Sequence, residues 1–81
     1  MKIEVHFERV VNPSIYEVGE DAVTLYLNDI KAGMVAEFIG KYPDVTWFDI
    51  LFKTVDVSGK VERVVMIARA ERVADGEAKA N

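Results

Sequence analysis

The sequence predicts an α+β domain in which an antiparallel sheet carries one helix on one face. Three observations predict it. Lys2 to Val11 alternates apolar and polar residues, as a half-buried strand does. Ile30, Met34, Phe38 and Tyr42 recur every four residues, as one face of a helix does. Val45 to Val55 and Val61 to Ala70 flank Asp56-Val57-Ser58-Gly59-Lys60, which reads as a hairpin turn.

In the first strand Ile3, Val5, Phe7 and Val11 share a side, with Lys2, Glu4, His6 and Glu8 on the other. Arg9 interrupts the apolar side near the strand end. Pro13 stops the ladder, because it has no N–H to donate. Ile15-Tyr16-Glu17-Val18 reads as an extra strand or an ordered loop, and Gly19-Glu20-Asp21 as a turn. Ala22 to Leu27 alternates again, with Val23, Leu25 and Leu27 together, and reads as a strand. Asn28 or Asp29 then caps the helix. Gly33 inside it suggests close approach to the sheet. Gly40 supplies the left-handed end residue, and Pro43 prevents continuation. The expected order is β-(β)-β-α-β-β. The sheet has four strands, or five if the segment near Tyr16 joins it.

A type I turn with a glycine bulge at Gly59 pairs Asp56 with Lys60. Phe52, Ile50 and Phe48 then oppose Val64, Met66 and Ala68 on a wholly apolar face that meets the helix. The other face mixes Trp47, Leu51, Val55, Val61, Val65 and Ile67 with Asp49, Lys53, Arg63 and Arg69. In that register Trp47 lies opposite Arg69, a pair suited to stacking. A strand in a domain with one core is expected to be apolar on one side only. An apolar middle with a charged border matches the anatomy of an interface. Trp47, Leu51, Val65, Ile67, Arg63 and Arg69 are the candidate interface residues.

With 81 residues the chain holds one domain, expected over 1–73, followed by a disordered tail over 74–81. A domain of this size buries only about 60% of its unfolded surface, so added burial against a partner is valuable. No cysteine is present, which excludes disulfides and thiolate metal sites. The N-terminal residues lack the apolar core of a signal peptide, and no apolar run reaches the length of a membrane span. A soluble, cytoplasmic protein is expected.

The chain offers little chemistry. Glu4, His6 and Glu8 share a strand face, but a strand without ligands from elsewhere is a poor metal cage. Ser14 and Ser58 lie in turns, and neither stands in a nucleophile elbow. Glu17, Glu20 and Asp21 read as solvated turn acids. The net charge of -4 disfavours nucleic acid, although Lys53, Lys60, Arg63, Arg69 and Arg72 are enriched on the hairpin. No catalytic residue, metal or cofactor is implied. The expected function is a non-catalytic protein–protein interaction module. It acts through the outer face or edge of the hairpin on a protein partner, or on a second copy as a homodimer. One alternative is a small acidic inhibitor from a phage or mobile element, binding a basic host target. Another is a small-molecule-binding or catalytic domain with a pocket between helix and sheet near Tyr42 and Trp47.

Overall fold

The computed structural model describes residues 1–73, so the tail expected over 74–81 lies outside the described residues. The fold is α+β, with a three-stranded antiparallel sheet and one long helix. Strand β1 spans Lys2–Val10 and a 3-10 turn spans Pro13–Glu17. Helix α1 spans Glu20–Lys41, strand β2 spans Val45–Val57 and strand β3 spans Lys60–Arg72. The strand order is β1-β3-β2, so β3 is central and both other strands are edges.

The sheet therefore has three strands, not four or five. Ala22 to Leu27 is the start of α1, and α1 is 22 residues long. Val23, Leu25 and Leu27 alternate like a strand, but Val23, Leu27, Ile30 and Met34 also continue the helical stripe. The longer period wins because it extends the apolar face that packs on the sheet. Its cost is visible at Leu25, which the helix turns out to solvent. The segment near Tyr16 is a 3-10 turn capped by the Asn12 side chain, not a strand. Asn28 and Asp29 stand within the helix. The N-cap is Gly19, and Glu20 and Asp21 follow it in the first turn, where carboxylates favour the helix dipole. Gly40 is helical, and Tyr42 forms the C-cap at φ −127°, so no left-handed glycine ends the helix.

The core is small. Val11, Met34, Phe38, Val64, Met66, Ala68 and Ala70 are buried. Four of these are successive inward residues of β3, over which Met34 and Phe38 of the helix sit. Ile3, Val5 and Phe7 of β1 and Ile50 and Phe52 of β2 complete the layer. Phe38 is the centre of an aromatic group. Its ring meets Phe7 edge-on at 6.4 Å, Phe48 edge-on at 5.7 Å and Tyr42 tilted at 5.5 Å. Tyr16 hydrogen-bonds to the Val61 amide, and Tyr26 accepts from the Asn12 amide, tying the 3-10 turn and helix to the strand ends. Arg9, the charged exception of β1, pairs with Glu37 of the helix.

Close approach of helix and sheet is provided by the small residues Ala68 and Ala70, not by Gly33. Gly33 is exposed, and a β-carbon there would meet nothing within 4 Å. Gly33→Ala is therefore expected to stabilise the domain by about 0.5–1 kcal/mol. A rise in melting temperature checks this.

The turn into β2 is held by Asp44, whose carboxylate accepts from Arg72 Nε at 2.9 and 3.1 Å. Arg72 also lies over the Tyr42 ring. The Arg72 hydrogen bond holds the Asp44 carboxyl below its ordinary pKa. Its stabilising contribution is thus present above the unfolded carboxyl value of about 3.9 and lost as pH falls through the lower folded value. The stability difference between wild type and Asp44→Asn is expected to shrink in acid-unfolding curves as pH falls through that lowered value.

Candidate functional site

The hairpin register differs by two residues from the expected one. Phe48, Ile50 and Phe52 oppose Ala70, Ala68 and Met66. The turn is shorter, with Val57 opposite Lys60 and positive φ at both Ser58 and Gly59. Two left-handed central residues make a type I′ turn, whose twist matches the strands. A ladder irregularity falls between Val55 and Asp56 and a second between Val45 and Trp47. Because two is an even shift, side chains between the two irregularities, from Trp47 to Val55 and from Arg63 to Glu71, keep their expected faces.

The face turned away from the helix forms five rows across the strands β2, β3 and β1. They are Trp47–Glu71–Lys2, Asp49–Arg69–Glu4, Leu51–Ile67–His6, Lys53–Val65–Glu8 and Val55–Arg63–Val10. All six candidate interface residues lie here. Trp47 is 58% exposed, Leu51 50% and Val55 41%. Val65 and Ile67, on the central strand, are half-buried by their neighbours. Val61, by contrast, packs against the core on the helix side. The irregularity beside it, with Glu62 as the extra residue, removes it from the outer face.

Trp47 does not face Arg69 directly. The register shift sets Trp47 beside Glu71 and Arg69 between Asp49 and Glu4. Lys2, Glu4, Trp47, Asp49, Arg69 and Glu71 instead line one open groove at this end of the sheet. At the other end Arg63 donates to Glu8 Oε1 at 2.7 Å, which raises the guanidinium pKa further. The basic residues of the hairpin face are thus interleaved with acids.

Glu4 and His6 approach to 3.0 Å, but Glu8 is engaged by Arg63. Among the described residues no set of three His, Asp or Glu side chains is grouped to hold a metal. Tyr42 packs on the helix side against Phe38 and Arg72, whereas Trp47 lies on the opposite face. The two residues do not line one pocket. No described helix is long and apolar enough to cross a membrane.

Two features were not legible in the sequence. Leu25 and Ile39 are exposed on the solvent side of α1, with Ala32 and Ala36 between them. Among the described residues strand β2 is an edge with no strand on its outer side, because β3 and not β2 is central. Leu25 is exposed because the segment expected as a second strand is helix, and the edge position of β2 follows from the strand order. No family model, curated protein or solved structure matches this chain.

Proposed function

We propose that this domain is a non-catalytic protein–protein interaction module whose working surface is the outer face of the β2–β3 hairpin. The observation that supports it is the exposed line of Trp47, Leu51 and Val55 beside half-buried Ile67 and Val65. Charged residues border this line. Trp and Arg are the side chains most enriched where binding energy concentrates, and an apolar centre with a polar rim suits a partner surface. The small core adds a reason: a two-layer domain with so few buried side chains gains from further burial.

Trp47→Glu and Leu51→Glu test the reading. Both sites are on the far side of the sheet from the core, so each substitution is expected to leave circular dichroism unchanged and cost less than about 1 kcal/mol. Light scattering at about 100 µM and capture from a lysate are the readouts. Loss of association or of partner capture in both variants is expected. Unchanged mass and unchanged capture in both contradict the proposal.

A further inference from the structure

We infer that the domain forms a twofold-symmetric dimer by antiparallel pairing of β2 with the β2 of a second copy, in a register centred on Leu51. This inference rests on the reading of the hairpin as an interaction surface, and it names the partner and the atoms that meet.

The two sheet edges differ in kind. Strand β1 carries Lys2, Glu4, His6, Glu8 and Arg9 within Lys2–Val10. Dense charge on a short edge strand opposes pairing with another chain. Strand β2 is 13 residues long, and between Thr46 and Val55 its only charges are Asp49 and Lys53. Among the described residues, no backbone hydrogen bond outside the sheet ladder involves Thr46 to Val57. The outward amides and carbonyls of this edge are therefore available to a strand.

The side chains of β2 are self-complementary. Its ladder to β3 is regular from Trp47 to Val55 and interrupted at each end of that stretch. Leu51 is the midpoint. In a twofold antiparallel pair centred there, Leu51 meets the second copy's Leu51 on the outer face. Asp49 meets Lys53 and Lys53 meets Asp49, giving two opposite-charge cross-strand pairs. Trp47 meets Val55 at both ends. On the inner face Ile50 meets Phe52, and Phe48 meets Thr54. Phe48 is 43% exposed although it faces the helix side, because the edge strand lies at the margin of the helix's cover. A neighbouring strand would close that margin. Shifting the register by two residues sets Asp49 against Leu51 or against a second apolar residue, and loses both charge pairs. Such pairing makes a continuous six-stranded sheet and joins the two outer apolar faces. A twofold contact of this kind is isologous and closes on itself.

The chain has no cysteine, so single cysteines report the register cleanly. Facing residues have α-carbons about 4.5–5.5 Å apart, inside the range that a disulfide spans. Val55 and the second copy's Val55 are eight positions apart along the strand, roughly 27 Å. Leu51→Cys is expected to form a disulfide-linked dimer under mild oxidation, and Val55→Cys is not. Asp49→Lys and Lys53→Glu each place like charges opposite one another and are expected to weaken the dimer about tenfold in sedimentation equilibrium. Mixing the two variants restores opposite pairs and is expected to recover dimer near wild-type strength. This mixing arm separates repulsion at the interface from damage to either fold, since both substitutions persist in the rescued dimer.

A monomeric wild type at about 100 µM overturns the inference. So does a dimer in which Val55→Cys cross-links as readily as Leu51→Cys, or in which mixing restores nothing. In those cases, capture that still depends on Trp47 and Leu51 leaves the interaction face standing with a different partner. Indifference to Trp47→Glu and Leu51→Glu removes the face itself.

Discussion

Phe38→Ala is expected to abolish cooperative unfolding of this domain at room temperature. Phe38 has no solvent exposure and joins β1, β2 and the helix end through Phe7, Phe48 and Tyr42. Truncating a buried phenylalanine costs about 3–5 kcal/mol, from lost transfer energy and the cavity left behind. Small domains have total stabilities near the low end of about 5–15 kcal/mol. One such loss therefore removes most of the margin. Among the described residues the helix packs on the sheet and on the short 3-10 turn, so loosening its central contact weakens the one core. The readouts are the urea transition by circular dichroism and the dispersion of the proton spectrum. A sharp transition with a midpoint near wild type contradicts the assignment of Phe38 as the central contact. Phe48→Ala gives a contrast, since the partly exposed Phe48 ring has less burial to lose.

Ala68→Leu is expected to cost about 1–3 kcal/mol, the usual penalty for overpacking a filled core. Ala68 has no exposure and lies between Val5 and Ile50 in the central row of the sheet, directly under the helix. A larger side chain there lifts the helix away and opens the contacts made by Met34 and Phe38. The neighbouring position on the opposite face serves as control. Ile67→Leu keeps volume, lies on the outer side and is expected to change stability by less than about 1 kcal/mol. Urea midpoints for the two variants check this. Equal effects from both would contradict the assignment of faces.

Much of this fold was legible because strand parity is a robust signal. Phe48, Ile50 and Phe52 were expected to face the helix, and they do, even though the pairing partners moved by two residues. An even slip leaves the faces intact, whereas the turn that sets the register depends on whether Ser58 adopts positive φ. Serine shows no strong preference for that conformation, unlike asparagine or glycine, so the type I′ turn was hidden. The second strand failed for a different reason. Val23, Leu25 and Leu27 fit both periods, and only the continuity of Val23, Leu27, Ile30 and Met34 decides for the helix. That decision depends on packing against β3, which local pattern does not contain. Strand order was likewise beyond reach, and with it the knowledge that β2 is an open edge.

The two faces of the hairpin therefore divide the work, in this account. The inner face, with Val64, Met66, Ala68 and Ala70, makes the fold. The outer face, with Trp47, Leu51 and Ile67, is the surface we propose for association. Trp47 is the only tryptophan, and it stands exposed in the single chain. Its fluorescence therefore reports coverage of the outer face directly. As protein concentration rises through the micromolar range, its emission is expected to shift to the blue at constant circular dichroism. Leu51→Glu is expected to abolish that shift. Emission that stays at the solvent-exposed position at every concentration, in wild type and variant alike, would contradict the account.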